Sequence, residues 1–348
     1  MIKKKGQSAI EYLMTYGWML LVVAVAGGAI FSVVGDQSIE NVSGFNSQDV
    51  NVQDFGVSTQ NGLMFSMNDP IGQTTITEVT VSNPDTANIT YTFNQDISEQ
   101  NTINLPGITP ANNENQLEVE ITYNSDNLEN LITSGTITGN LEVDENYNNN
   151  TIIMDGLAGY WPLSKQYLED DTVYDLTSND NHGAMINNPA IADKGLEFDG
   201  EEDYIDSGYT HNSQDGALSF WVYLNNNSDF GFGAHAAASG GDSRLYVREE
   251  FPIGVGNNYN GGTFQPFEDE WHHIVLTFDE ESATLYINTE VEDTLDSYSW
   301  GESSPPLHFG RVNGRSDWIN GKIDDVRVYN RALSEDEIKT IYEQGETE

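Results

Sequence analysis

The chain has 348 residues, with 13 Lys and Arg against 56 Asp and Glu, a net charge of −43 and no cysteine. This composition excludes disulfides, thiolate metal ligands and cysteine catalysis, and a surface of this sign repels nucleic acid. Such a surface also repels itself, and about 1 M salt removes most of that repulsion by shortening the Debye length to roughly 3 Å. We therefore expect a halophilic source, with an acidic surface protein from an ordinary habitat as the alternative.

The N-terminal segment begins with a basic run, Lys3 to Lys5, and continues into an almost purely apolar stretch from Trp18 to Val34. A helix over residues 7–38 would be long enough to cross the hydrocarbon layer of a membrane, which is about 30 Å thick. The lysines would hold the N-terminus in the cytoplasm and place the rest of the chain outside. Glu11 interrupts the apolar character, and a carboxylate in such a segment is usually functional because its burial is costly.

The residues around this glutamate are Lys3-Lys4-Lys5-Gly6 followed by Gln7-Ser8-Ala9-Ile10-Glu11-Tyr12-Leu13. They resemble the class III signal peptide of archaeal type IV pilins. The resemblance implies a leader of residues 1–6 and a prepilin peptidase that cuts between Gly6 and Gln7. Once this bond is cut, Glu11 lies about one helical turn from the free amine of Gln7, and we expect it to pair with this amine on its own chain or on a neighbouring subunit as an assembly contact. Two alternatives stay open: a secretory signal cut after Ala24-Val25-Ala26, and a plain membrane anchor.

Residues 39–145 contain short alternating runs such as Thr74 to Val81 and Leu117 to Tyr123, separated by turn residues. This pattern predicts an all-β sandwich. The run Gly72 to Thr77 gives the segment a resemblance to the body of archaeal pilins, where a β-sandwich follows the helix. The Asn-rich residues 146–154 are predicted to be a linker.

Four Asn-x-Ser/Thr sequences are candidate glycosylation sites of an exported protein. They begin at Asn41, Asn88, Asn149 and Asn226. Chance matches are expected in a chain this rich in Asn and Thr.

Residues 155–348 have more aromatic residues, and Trp271 to Phe278 is predicted to be a strand. Ser334 and Glu337 form a capping box that predicts a final short helix. The motifs in chain order are Gly159-Tyr160-Trp161-Pro162-Leu163, Gly195-Leu196-Glu197-Phe198-Asp199-Gly200 and Gly321-Lys322-Ile323-Asp324-Asp325-Val326. Together they resemble the laminin-G-like branch of the concanavalin A-like jelly rolls. The resemblance implies a two-sheet sandwich that binds glycans or proteins, often with one calcium ion.

The same resemblance places calcium ligands at Asp175, Asn179 and Asp324, with solvated acids as the alternative, because acids are frequent throughout this chain. His272 and His273 are adjacent on a predicted strand, so their side chains point to opposite faces and do not share a metal. We expect one of the two to face the core and the other to face solvent.

Glycan hydrolysis needs two carboxylates about 5–10 Å apart across a cleft. The hydrolase relatives of the jelly rolls carry Glu-x-Asp-x-(x)-Glu on one strand, and Glu290-Val291-Glu292-Asp293 has the wrong spacing. We therefore expect no enzymatic activity.

The predicted fold class is mainly β: a long N-terminal hydrophobic α-helix, a pilin-type β-sandwich, and a laminin-G-like jelly roll that ends in a short helix. The predicted function is a type IV pilin-like subunit of an archaeal surface filament, inserted in the cytoplasmic membrane before assembly. Its extracellular C-terminal domain would serve adhesion by binding a glycan or a protein. The alternatives are a membrane-anchored surface binding protein that does not polymerise and a cell-surface glycan hydrolase.

Overall fold

The computed structural model describes most of the chain from residue 39 to residue 345. The described residues are 39–45, 50–58, 62–69, 74–83, 88–97, 101–125, 128–143, 151–177, 179–225, 231–236, 243–248, 253–256, 258–259, 269–298, 306–313 and 318–345. The predicted leader, Gly6, Gln7 and Glu11 lie outside these ranges, as do the sequons at Asn149 and Asn226.

The N-terminal half consists of two β-sheets. Its strands are β1 (Ile39–Gly44), β2 (Asn51–Ser58), β3 (Gly62–Asn68), β4 (Thr74–Ser82), β5 (Asn88–Asp96), β6 (Asn101–Leu105), β7 (Ile108–Ser125), β8 (Leu128–Val143) and β9 (Thr151–Ile153). One sheet has the strand order β1-β8-β7-β4-β5-β9, and the other has the order β2-β3-β6. Buried apolar side chains from both sheets form a single core, so this half is a β-sandwich.

Strand β4 illustrates how the sequence specifies these elements. Ile76, Val79 and Val81 are fully buried, and the residues between them are partly exposed. A register shift between Ile76 and Glu78 against both neighbouring strands moves the alternation by one position. A β-bulge of this kind is the usual way to re-aim the side chains of a strand.

The C-terminal half is a second sandwich. Its strands are β10 (Leu157–Trp161), β11 (Leu168–Glu169), β12 (Thr172–Val173), β13 (Gly183–Ile186), β14 (Ala190–Ile191), β15 (Leu196–Asp199), β16 (Tyr204–Asp206), β17 (Gly216–Leu224), β18 (Gly231–Ala236), β19 (Ser243–Arg248), β20 (Ile253–Gly256), β21 (Asn258–Tyr259), β22 (Trp271–Phe278), β23 (Ala283–Ile287), β24 (Glu290–Leu295), β25 (His308–Phe309), β26 (Val312–Asn313) and β27 (Asn320–Tyr329). A 3₁₀ turn spans Lys165–Tyr167, and helix α1 spans Glu335–Gly345.

One sheet of the second sandwich has the order β14-β15-β27-β17-β22-β23-β24, with β10 paired to β27. The facing layer contains β11-β12-β13-β16-β25 and β21-β20-β19-β18-β26. Phe220 of β17 stacks on Phe232 of β18, with ring centroids 4.0 Å apart, across the core between the layers. This arrangement confirms the predicted jelly-roll sandwich.

Helix α1 covers the outer face of the first of these sheets. Ile338 and Ile341 pack with Ala217, Val275 and Tyr329 in a small separate core. The predicted capping box is confirmed, because the Ser334 hydroxyl accepts a hydrogen bond from the Glu337 amide and the Glu337 carboxylate accepts one from the Ser334 amide. Because helix α1 covers the outer face of the sheet, β17 and β22 are buried on both faces.

This covering overturns the expectation that one of His272 and His273 faces solvent, since both side chains are buried. His273 lies under the helix side of the sheet, with its Nε2 atom 2.8 Å from the Ser219 hydroxyl. His272 lies on the other face, with its Nδ1 atom 3.1 Å from the side-chain nitrogen of Asn288.

The two sandwiches share side chains at their junction. Strand β9 lies within the predicted linker and pairs in parallel with β5 of the first sandwich. Tyr160, Tyr167 and Leu176 follow this strand in sequence, yet they belong to the hydrophobic core of the first sandwich. The predicted linker therefore includes residues that are built into a sheet.

The mainly-β prediction is confirmed, but the predicted fold class is wrong in its long N-terminal α-helix. None of the helices in the described part of the chain has the length and apolar character needed to cross a membrane, and residues 7–38 lie outside that part. The helix was predicted from hydropathy and from the resemblance to class III signal peptides, and a continuous apolar run does not carry the periodicity that distinguishes helix from strand. Helix α1 is specified by such periodicity and by its cap.

Candidate functional site

A cleft of 470 Å³ opens at one end of the second sandwich. Its volume falls within the range of roughly 300–1,000 Å³ that is typical of small-molecule sites. The lining residues are uncharged, and most are amides or hydroxyls: Leu157, Ala158, Asn179, Asn181, Tyr209, Thr210, Asn212, Ser213 and Asn330. An uncharged lining is unusual in a chain with a net charge of −43, so the cleft suits a neutral ligand rich in hydrogen-bonding groups.

The turn between β12 and β13 forms one wall of this cleft and is organised by Asp175. The Asp175 side chain is fully buried. Its Oδ1 atom accepts hydrogen bonds from the amides of Tyr160 and Thr177, each at 2.9 Å. Its Oδ2 atom accepts from the Thr177 hydroxyl at 2.9 Å and from the Asn181 amide at 3.0 Å. One carboxylate therefore fixes the path of the turn from within.

Two effects act on the pKa of Asp175. Burial raises the pKa of the carboxyl, while the hydrogen bonds from Tyr160, Thr177 and Asn181 lower it. The burial effect is the larger of the two. The carboxylate is stabilised by protein donors in place of water, and its role is to hold the turn.

The turn presents two amide side chains to the cleft. The side-chain nitrogens of Asn179 and Asn181 donate to the same acceptor, the Ala158 carbonyl, at 3.1 and 3.2 Å. The Asn181 carbonyl also accepts a hydrogen bond from the Trp161 indole at 2.9 Å. Asn181 is thus held through both its backbone and its side chain, and its amide oxygen is oriented before any ligand arrives.

Tyr209 supplies the aromatic ring of the opposite wall. Its hydroxyl lies 3.0 Å from Nδ1 of His211, and its ring packs edge-on against Trp161 with centroids 6.4 Å apart. Burial raises the pKa of Tyr209 to about 12 and lowers the pKa of His211 to about 4. Both side chains are therefore neutral near pH 7, which keeps this wall uncharged as well.

The predicted calcium ligands have different environments. Asp175 offers no free acceptor, because each of its oxygens already accepts two hydrogen bonds and an oxygen has two lone pairs. Asn179 lines the cleft, and Asp324 is buried within β27. Across the described ranges, no three Asp, Glu or His side chains come close enough to hold a metal ion. Calcium takes six to eight oxygen ligands, which include backbone and amide carbonyls as well as carboxylates, and the calcium site stays a prediction.

Two of the predicted glycosylation sites lie within the described residues. Asn88 begins β5 and is exposed, and Asn41 lies within β1. Both sites stay predictions.

The sequence predicts Asn179 as a calcium ligand and does not single out Asn181, Tyr209, Asn212 and Asn330 as site residues. These residues come from three separate connections, so no local spacing unites them. The sequence feature that indicates this wall of the cleft is the Asn-rich turn after Asp175, because Asn and Asp favour turns by bonding to nearby backbone groups.

Residues 199–339 match the Laminin_G_3 family, described as the Concanavalin A-like lectin/glucanases superfamily. The match agrees with the layers and the strand pairing of the second sandwich, and it confirms the concanavalin A-like jelly roll. No curated protein sequence matches the chain.

Among solved structures, the receptor-binding domain of botulinum neurotoxin D is similar at 14% identity and a TM-score of 0.41, over 55% of this chain and 53% of that one. Domain 4 of AbnA, an extracellular GH43 arabinanase from Geobacillus stearothermophilus in complex with arabinotriose, is similar at 18% identity and a TM-score of 0.41. That match covers 53% of this chain and 98% of the other. Trypanosoma rangeli sialidase in complex with sialic acid is similar at 11% identity and a TM-score of 0.45, over 85% and 53% of the two chains. The chain spans about half the length of the neurotoxin domain and of the sialidase.

Proposed function

We propose that this protein is an extracellular carbohydrate-binding protein whose jelly-roll domain binds a neutral glycan in the cleft beside Asn181 and Tyr209. The uncharged, amide-rich lining of the cleft is the observation that carries the proposal. The matched superfamily includes lectins by its description, which supports the same class of ligand.

The lining suits the chemistry of a sugar. Each asparagine side chain has both an acceptor oxygen and a donor nitrogen, and a pair of sugar hydroxyls presents the complementary donors and acceptors. The Tyr209 ring adds an apolar surface next to these groups, and an aromatic surface of this kind packs against the C–H face of a sugar ring. A charged ligand is disfavoured, because no described lining residue compensates its charge.

Asn181→Ala is expected to weaken glycan binding at least tenfold without unfolding the domain. The substitution removes the amide side chain but keeps the backbone hydrogen bonds to Asp175 and Trp161. The probes are neutral trisaccharides of glucose, galactose, xylose and arabinose, titrated into the full chain and followed by NMR or calorimetry.

Asn94→Ala is the matched control, since Asn94 is an exposed amide on β5 of the first sandwich. It should bind the same trisaccharide as tightly as the parent chain. Equal affinity of the Asn181→Ala variant and the parent chain would contradict the cleft as the binding site.

We also propose that the domain binds its glycan without hydrolysing it. Glycoside hydrolysis uses an acid pair across the scissile bond, and the described cleft lining offers amides and hydroxyls instead. The trisaccharide bound most tightly should be recovered intact after prolonged incubation with the protein, and release of reducing sugar would contradict this part of the proposal.

We further propose that the chain is displayed on the cell surface as a type IV pilin-like subunit. The support is the run from Lys3 to Leu13, with Gly6 before the expected cut and Glu11 near the new N-terminus. Glu11→Ala should leave processing after Gly6 intact and abolish incorporation into filaments, measured by immunogold microscopy. A membrane-anchored receptor that does not polymerise is the second candidate, and a parent chain that is displayed on the surface without being incorporated into any filament would favour it.

A further inference from the structure

A second group of side chains surrounds Arg311 and contains none of the residues that line the cleft. The Arg311 guanidinium carbon lies 4.6 Å from the ring centroid of Tyr204 and 4.6 Å from that of Trp318. The two rings are 6.0 Å apart and inclined at 51°. His308 stacks on the Tyr204 ring at 4.5 Å. These four residues form what we call the Arg311 cluster.

Arg311 differs from the other buried or half-buried arginines of the domain. Arg327 forms an ion pair with Asp325, and Arg331 forms ion pairs with Asp155 and Glu337. Arg311 has no ion pair with any residue that the structure describes, and its Nε atom is buried without a hydrogen-bond partner. The Arg311 guanidinium is instead held by cation–π contacts with aromatic rings, although the chain has 56 acidic residues.

An arginine in this state is suited to bind an anion. The guanidinium group presents several N–H donors in a planar fork that matches a carboxylate. Because the aromatic rings already fix the fork in place, little side-chain entropy remains to be lost on binding. Tyr204, Arg311 and Trp318 are all partly exposed, so a ligand can reach them.

His308 adds a second polar group to the cluster. It is 5% exposed, and its Nδ1 atom has no hydrogen-bond partner among the described residues. Burial, with the nearby Arg311 charge, lowers the pKa of His308 to about 4, and the Asp206 carboxylate acts in the opposite direction. The ring is therefore neutral near pH 7 and can bond to a hydroxyl beside the charged group of a ligand.

We propose that the Arg311 cluster is a second binding site, for a sugar residue that carries a carboxylate, such as a uronic acid. The guanidinium binds the carboxylate next to the Tyr204 and Trp318 rings that hold it in place, and His308 bonds to a hydroxyl. A single carboxylate on an otherwise neutral, hydroxyl-rich ligand suits this surface better than an acidic peptide, since the net charge of −43 repels a polyanion. The site shares no residue with the neutral cleft.

The test compares methyl β-glucuronide with methyl β-glucoside, which has the same ring without the carboxylate, in NMR titrations of the full chain. The glucuronide should perturb the Trp318 indole signal, and the glucoside should bind this site at least tenfold more weakly. Arg311→Gln should lower the glucuronide affinity at least tenfold, and Arg311→Lys should keep part of it. The control Lys339→Gln removes the same charge from an exposed position on α1 and should have no effect.

Sodium acetate and an acetylated glutamate peptide are the competing probes. Binding of either as tightly as the glucuronide would overturn the assignment of the ligand as a sugar acid. An Arg311→Gln variant that melts normally and binds the glucuronide like the parent chain would overturn the site itself.

The Asn181→Ala variant separates this proposal from the neutral-glycan proposal. This variant should bind the neutral trisaccharides more weakly and bind the glucuronide as the parent chain does. A loss of both affinities would contradict the existence of two separate sites.

Discussion

Asp175→Asn is expected to lower the free energy of unfolding by about 2–4 kcal/mol and to weaken binding at the neutral cleft. An Asn side chain can keep the two hydrogen bonds at Oδ1 but places an NH₂ group where Oδ2 accepts from the Thr177 hydroxyl and the Asn181 amide. Bonds to a charged acceptor contribute about 1.5–3 kcal/mol each, and removal of the buried charge offsets part of their loss. A decrease in melting temperature of roughly 4–16 °C would follow in a domain of this size.

Asp171→Asn is the matched control for this substitution. Asp171 is exposed and lies just before β12, so the same chemical change should alter stability by no more than about 0.5 kcal/mol. The result that would contradict the role of Asp175 is an Asp175→Asn variant with the melting temperature and trisaccharide affinity of the parent chain.

The same pair of proteins tests the calcium prediction. If Asp175 acts through hydrogen bonds, the loss in Asp175→Asn should be equal in EDTA and in millimolar CaCl₂. If Asp175 is a calcium ligand, CaCl₂ should raise the melting temperature of the parent chain by mass action, and the substitution should abolish that increase. The four donors already bonded to the carboxylate favour the first outcome.

Sequence periodicity predicted the strands well where one pattern dominates. Trp271 to Phe278 forms β22 at the predicted bounds, and the alternation from Thr74 to Val81 forms most of β4. The Ser334–Glu337 cap also formed as predicted. In each case the signal is local, since a strand period or a capping box lies within a few consecutive residues.

Features that depend on distant residues were not predictable in this way. His272 and His273 are both buried because α1, about 60 residues later in the sequence, packs over the outer face of the sheet. The cleft joins Asn181 to Tyr209 and Asn330 through the sandwich topology and not through spacing. The family resemblance predicted Asp175 as a calcium ligand, and only the structure shows that four protein donors bond to its two oxygens.

The largest effect on stability is expected from Asp325→Asn, at the buried ion pair of β27. Asp325 and Arg327 are 4% and 3% exposed, and their Oδ2 and Nη2 atoms are 3.0 Å apart. A second bond joins Nε to Oδ1 at 3.2 Å, and Nη1 donates to Gln344 of α1 at 2.8 Å. Asn accommodates the left-handed backbone at this position, where φ is 48°, so the substitution removes the charge and one acceptor oxygen without straining the backbone.

Breaking a buried pair leaves a charge without compensation, which costs about 3–5 kcal/mol. The loss should extend beyond β27, because Arg327 also lies 4.8 Å from the ring of Tyr160, a residue in the core of the first sandwich. Calorimetry of Asp325→Asn should therefore show the melting temperature lowered by roughly 6–20 °C. The exposed control Asp193→Asn should melt like the parent chain.

A double variant tests whether the unpaired charge is the cause. Asp325→Asn combined with Arg327→Met removes both charges and places an apolar side chain of similar length beneath α1. Replacing a buried pair by apolar groups is often close to neutral, so the double variant should be more stable than Asp325→Asn alone. A double variant that is less stable than Asp325→Asn would contradict this explanation. It would mean that Arg327 stabilises helix α1 and the junction through its contacts with Gln344 and Tyr160, independently of Asp325.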